Sequence, residues 1–297
     1  MSYIIAGFIL LALLCFVLLT AYRAWKYSRL PLHARLELYP VPKEGGGRAR
    51  YGGSYYEESK WWSKPRTLSK ANETKDILME MLFIRKLFDN NKGLWWVSYV
   101  FHIGIYCLFA WTVMLLVSTI WPLDVHIYTA AIAGMAGYCL ATLGALGLLI
   151  RRIFDTDLRS YTTPVEYFNL ILILLVLISG IISWLFVCTP FFAASQILFF
   201  TGLALSPIIY IHLALLGIML IYIPASKMSH YVGKFFAFHK VLWDNDPNSK
   251  GSQVNLHLQK AAKAAQTQKP EWLAPHTGMV APATEQIPTS SERGNEP

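Results

Sequence analysis

The chain has 297 residues, of which 55% are hydrophobic and 15% charged, and its mean hydropathy is +0.39. A soluble globular domain carries about a quarter charged residues, so the composition excludes an ordinary soluble protein. The formal charge of +8, from 26 Lys and Arg against 18 Asp and Glu, admits nucleic acid, a membrane surface or an acidic partner until the cations are placed along the chain.

A helix that crosses a hydrocarbon core of about 30 Å needs roughly 20 apolar residues. The run 4–22 is the first of five such stretches. Its cations, Arg23, Lys26 and Arg29, follow the apolar run instead of preceding it, so it reads as a retained anchor and not as a cleaved signal peptide. Residues 23–74 are rich in Pro, Gly, Tyr and charge, with the run PVPKEGGG at 40–47, and read as an irregular loop with Trp61 and Trp62 as anchors at the membrane surface. Over 72–91 the apolar residues Ile77, Leu78, Met81, Leu82, Phe83, Ile84, Leu87 and Phe88 recur at helical spacing, with Asn72 or Thr74 as N-cap. This predicts an amphipathic helix on the bilayer or against a partner.

The second to fourth spans follow at 95–121, 125–150 and 164–187. The third carries Ala133, Gly134, Gly137, Ala141, Gly144 and Gly147, a small-residue surface suited to close helix packing. Glu166, just after Pro164, reads as a cap of the fourth helix. The apolar run 191–223 is too long for one crossing, and Pro207 divides it into a short interfacial or re-entrant helix, 191–205, and a fifth span, 206–223. The tail from 244 is polar, with Ala, Gln, Pro and Ser prominent, and is expected to be ordered only by a partner. The organisation expected is therefore an anchor at 1–22, a loop with an amphipathic helix at 23–94, a four-helix membrane core at 95–243 and a tail at 244–297.

All 26 cations fall in three places: 15 between the first two spans, three in the loop after the third, and eight after the fifth. The positive-inside rule then predicts an all-α five-helix bundle with its N-terminus outside and C-terminus in the cytoplasm, a multi-pass protein of the cell's inner membrane. The basic excess reports orientation, and nucleic acid is not expected as a partner. Cys15, Cys107, Cys139 and Cys188 show no paired spacing and read as small buried hydrophobes. No phosphate-binding loop, dinucleotide fingerprint or zincin motif is present.

Titratable side chains in spans are costly and are functional candidates by default. His102 lies in the second span near its cytoplasmic end, His212 in the fifth near its outer end, His230 just past the inner end of the same helix, and His126 at the outer start of the third. His212 and His230 are 18 residues apart, which on one helix is five whole turns and about 27 Å of rise. They would share one face at opposite sides of the membrane, the geometry of a helix holding two stacked haems. His102, on an antiparallel helix, is at a depth suited to pair with His230. Neutral imidazole is an ordinary axial ligand of haem iron. The other reading is of isolated polar residues bonding between helices. His33, His239, His257 and His276 lie in polar segments and are expected to face solvent.

The stretch from Arg85 to Lys92 (RKLFDNNK) leading to Phe101, His102, Ile103 and Gly104, together with His212 and His230, resembles the di-haem b membrane subunit of respiratory nitrate reductase. It is more similar still to related membrane subunits that partner heterodisulfide-reductase-like iron–sulfur proteins in sulfate-reducing and sulfur-metabolising prokaryotes. The resemblance covers about residues 75–240. It implies an electron conduit between membrane quinone, bound close to an outer haem near His212 and the 191–205 segment, and a cytoplasmic iron–sulfur subunit resembling heterodisulfide reductase, with further membrane or periplasmic subunits as an option.

On that resemblance His102 and His230 match the inner haem b pair, and His212 matches one ligand of an outer haem. Thr112 stands where the family's fourth histidine would fall. The outer haem is then absent, or ligated differently, or completed by His126. Haem propionates commonly meet Arg or Lys. The inner rim offers Lys227, Lys234, Arg151 and Arg152, and the outer side offers none. The competing function is a haem-free membrane anchor that recruits a cytoplasmic partner through its basic loop.

Overall fold

The computed structural model describes residues 2–29, 60, 63, 68–202, 204–243 and 250–267. The loop features at 40–47, Trp61, Trp62, His33 and His276 lie outside the described residues. The chain divides into two compact units, Met1–Asn245 and Asp246–Pro297.

In the first unit five helices are long and apolar enough to cross a membrane: α1 (Ser2–Arg29), α4 (Lys92–Ile120), α5 (Asp124–Phe154), α7 (Pro164–Phe186) and α9 (Pro207–Ala225). The chain is a multi-pass membrane protein, and no strand occurs among the described residues. Between the spans lie α2 (Lys70–Phe83), α3 (Arg85–Asn90), α6 (Thr156–Tyr161) and α8 (Pro190–Leu198). After α9 come a 3₁₀ turn (Lys227–Ser229), α10 (His230–Lys234), a π-helical turn (Phe235–Lys240) and α11 (Val241–Trp243).

The small residues of α5 pack where the sequence leads one to expect. A Cβ on Gly104 of α4 would lie 2.2 Å from the Ala141 amide nitrogen, and one on Gly144 would lie 2.4 Å from the Phe101 nitrogen. Gly137 and Gly134 meet Leu108 and Trp111 in the same way. The paired numbers rise on one helix as they fall on the other, so α4 and α5 run antiparallel with their backbones in near contact. Farther along, α7 packs between α5 and α9. Its first turn is closed by the Glu166 carboxylate, which accepts the Thr163 amide at 2.7 Å, as expected of a capping residue after Pro164. Arg152 braces this corner, donating to Thr162 Oγ1 at 3.0 Å and lying 3.8 Å from Glu166.

Helix α1 packs against α9 and runs parallel to it. Ser2 Oγ meets Tyr210 Oη at 2.8 Å near one end, and Arg23 reaches Ser229 and the Ala225 carbonyl at the other. Parallel first and fifth spans are what five alternating crossings require. The segment before Pro207 contains the short helix α8, which ends at Leu198, and Pro207 occupies the first turn of α9, as its fixed φ favours.

Three local expectations are corrected. The amphipathic segment is capped by Ser69, whose Oγ accepts the Asn72 amide, not by Asn72 or Thr74. It is also broken at Ile84, which adopts φ 48°, ψ 46°, a left-handed conformation costly for a β-branched residue. Most consequentially, α9 does not continue to His230: buried Pro224 removes a helical donor, Ser226 turns extended, and a new turn starts with the Ser226 hydroxyl accepting the Met228 amide. His212 and His230 are therefore on separate helices. The four cysteines are free, and none is buried as expected: Cys139 is exposed and Cys15, Cys107 and Cys188 are partly exposed.

The second unit contains the helix α12 (Gln253–Thr267), where the sequence analysis assigned no element. Its run of Leu, Gln, Lys and Ala explains its helicity by intrinsic propensity. His257 on this helix is exposed, as expected.

Candidate functional site

His102 lies on the third turn of α4 with Nδ1 2.6 Å from the Ser98 carbonyl oxygen. A carbonyl only accepts, so Nδ1 carries the proton and Nε2 presents a lone pair. Opposite stands His230, the first residue of α10. The two ring centroids are 6.2 Å apart with planes inclined at 78°. Two imidazoles flanking one metal ion, with bonds of about 2.0 Å and ring nitrogens about 1.1 Å from each centroid, give a separation of about 6.2 Å. That separation, with the free lone pair of His102 Nε2, would leave room for a metal ion held between the two imidazoles. Desolvation among the surrounding helices, then His102 and Lys234 nearby, hold His230 below the ordinary histidine pKa and so in the neutral form.

The α2–α3 elbow closes one side of this pair. Trp95 Nε1 donates to the Phe83 carbonyl at 2.7 Å, and the Tyr106 hydroxyl, on a ring 6.5 Å from His102, donates to the Met81 carbonyl. Glu80, only 6% exposed, accepts the Lys86 amide at 2.9 Å with one oxygen and pairs with the Lys234 ammonium through the other. Lys234 lies one turn beyond His230, so the ion pair ties α2 to the helix that carries the histidine.

His239, expected to face solvent, is buried at 3% exposure in the π-helical turn. Burial first, then Lys234, pushes its pKa down, with Glu80 and Asp76 opposing. The signal was present in its neighbours, Phe235, Phe236 and Phe238, which make this stretch apolar despite its basic flanks. Glu80 was equally readable as the one acid inside the apolar stripe of α2.

The half of the bundle that holds His212 is built differently. Ser179 donates its hydroxyl proton to the Val176 carbonyl at 3.0 Å, so at 3.0 Å from His212 Nδ1 it accepts, leaving His212 Nε2 unprotonated. The absence of a side chain at Gly180 makes the approach feasible, because a Cβ there would sit 2.6 Å from Tyr138 Oη and 2.9 Å from His212 Cε1. Trp111, Tyr138 and Trp184 pack beside it, with the two indoles stacked at 5.9 Å. His126, in the first turn of α5, makes no ring contact or hydrogen bond with His212 among the described residues. Thr112 returns its hydroxyl to the Leu108 carbonyl at 2.8 Å. Of the four sequence-derived candidates, His102 and His230 come together, whereas His212 and His126 do not.

Fold and site together define a multi-pass membrane protein, without strands among its described residues, in which His102 and His230 face each other. The more particular assignment comes from comparison with known proteins. Residues 86–198 match the family profile of the nitrate reductase gamma subunit. The Hdr-like menaquinol oxidoreductase cytochrome b-like subunit of Archaeoglobus fulgidus is similar, 39% identical over 110 residues, covering 33% of this chain and 33% of the relative. The match thus spans a third of the length of that relative. The family segment includes His102 and His126 and ends before His212 and His230.

Proposed function

We propose that the chain is the membrane cytochrome b subunit of a respiratory redox complex, in which His102 and His230 would hold a b-type haem, relaying electrons between membrane quinone and a cytoplasmic iron–sulfur subunit. The observation that carries this reading is the facing pair at 6.2 Å with His102 Nδ1–H committed to the Ser98 carbonyl. A bound b-type haem supplies a one-electron couple that quinol chemistry and iron–sulfur clusters can both engage.

The protein's own groups do the rest. Ser98 orients His102 and fixes its tautomer. The Glu80–Lys234 pair steadies the helix that carries His230, and the apolar walls of the spans keep the site dry. His212, with its unprotonated Nε2 and the aromatic residues beside it, marks the half of the bundle where we place the quinone headgroup, near α8. The name of the Archaeoglobus relative, a menaquinol oxidoreductase subunit, supports a quinone-linked role, and its Hdr-like description supports an iron–sulfur partner.

The distribution of cations supports an N-terminus outside the inner membrane and a cytoplasmic C-terminus. In that orientation the His102–His230 pair is on the cytoplasmic side. An impermeant maleimide applied to intact cells should label Ser2→Cys and leave Ser252→Cys unlabelled.

The central test is haem per chain by pyridine haemochrome and the dithionite-reduced b-type spectrum. His102→Ala and His230→Ala should each lose the haem, and His126→Ala should keep it. Full haem retention in His102→Ala would sink the ligand assignment. Absence of any b-type spectrum in the wild type would leave a membrane anchor as the function.

A further inference from the structure

An open pocket of about 450 Å3 lies on the side of His230, between the end of α1 and the turn that follows α9. Arg23, Tyr27, Ser226, Lys227, Ser229 and His230 are among the residues that line it. Arg23 is fixed in place: Nη1 donates to Ser229 Oγ at 2.7 Å and Nη2 to the Ala225 carbonyl at 2.9 Å. Ser229 in turn spends its own proton on the Ser226 carbonyl at 2.8 Å, so it can only accept from the arginine. A guanidinium carries five N–H donors, and these two bonds leave the others for the pocket.

Three other cations of this rim have carboxylates. Lys234 pairs with Glu80, Arg151 lies 3.6 Å from Asp155, and Arg152 lies 3.8 Å from Glu166. Arg23 has no carboxylate within ion-pair distance among the described residues, and Lys227 forms no ion pair there, Glu166 acting on it only at longer range. Two positive charges, one of them an arginine held rigid by two bonds and without a carboxylate partner among the described residues, line one cavity. A pre-organised guanidinium beside an ammonium is complementary to a carboxylate or phosphate group.

We propose that this pocket is an anion site that receives carboxylate or phosphate oxygens beside His230, and that the first helix therefore supplies a ligand-binding residue, Arg23, in addition to anchoring the chain. Two sources have this chemistry. One is a propionate of a haem held by His230, which rests on the proposed haem and deepens it. The other is the headgroup of an anionic phospholipid, which does not depend on that proposal.

The full-length chain, depleted of haem, is reloaded with protohaem or with its dimethyl ester. In parallel, the detergent-purified chain is titrated with phosphatidylglycerol and phosphatidylcholine and followed by native mass spectrometry. The wild type should prefer protohaem to its ester, or phosphatidylglycerol to phosphatidylcholine, by about tenfold, and Arg23→Gln and Lys227→Gln should each abolish that preference. Arg23→Lys should retain most of it, and Lys26→Gln, outside the pocket, all of it. A wild type with neither preference overturns the site. So does a preference that survives in both glutamine variants while their thermal midpoints match the wild type. A chain that takes up neither porphyrin yet keeps its phosphatidylglycerol preference supports the anion site and refutes the haem at His102 and His230.

Discussion

Replacing Gly104 with alanine should separate α4 from α5 and disturb His102, two residues away. The added Cβ would stand 2.2 Å from the Ala141 amide nitrogen, 2.7 Å from its Cα and 2.8 Å from the Leu140 carbonyl carbon. All three are backbone atoms, so no side-chain rotation relieves the contact, and the helices must move apart by about 1 Å to restore van der Waals distance. Overpacking of this kind costs about 1–3 kcal/mol, and a clash against backbone belongs at the upper end. The better helix propensity of alanine returns about 1 kcal/mol, for a net destabilisation of about 2 kcal/mol, a factor of about 30 in the unfolding equilibrium.

Gly7→Ala is the internal control, since nothing lies within 4 Å of a Cβ there. It should be neutral or stabilising by up to about 1 kcal/mol. Thermal unfolding in detergent, followed by circular dichroism and by haem absorbance, reads both effects. Gly104→Ala should melt lower and release haem earlier than the wild type. Equal melting of the two variants would refute the close α4–α5 approach on which the placement of His102 depends.

Three further outcomes follow from named contacts. Glu80→Gln and Lys234→Met should each destabilise by about 2 kcal/mol, since the carboxylate is buried and the ammonium a third exposed, and the double variant should cost clearly less than their sum in a denaturation cycle. Ser179→Ala should cost about 1–2 kcal/mol by leaving the His212 Nδ1–H without its acceptor, and should leave the b-type reduced spectrum proposed for the His102–His230 pair unchanged. Glu166→Ala should lower stability by about 1 kcal/mol through loss of the Thr163 cap, a change readable in the melting midpoint with no spectral shift.

Much of the site's scaffold is legible in the sequence because it depends on local properties. Five runs of sufficient apolar length fix the spans, Pro164 and Pro207 mark helix starts, and the glycine stripe of α5 announces a close neighbour. The pairing of His102 with His230 could be anticipated from depth alone. The supporting shell could not, since Glu80 reaches Lys234 across 154 positions and Arg23 reaches Ser229 across 206. Neither periodicity nor composition encodes such partners.

The elbow at Ile84 and the burial of His239 escaped for a related reason. Local propensity favours an unbroken helix and an exposed basic segment, and tertiary packing overrides both. By itself the sequence determined how many times the chain crosses the membrane and which residues begin each crossing, because apolar length and helix-terminus chemistry act over a few turns. The tertiary structure decided that α9 stops at Ala225, that His230 turns toward His102 while His212 turns to Ser179, and that Arg23 bonds to Ser229 and the Ala225 carbonyl. Those outcomes depend on which helices become neighbours, a choice made by packing across the whole bundle.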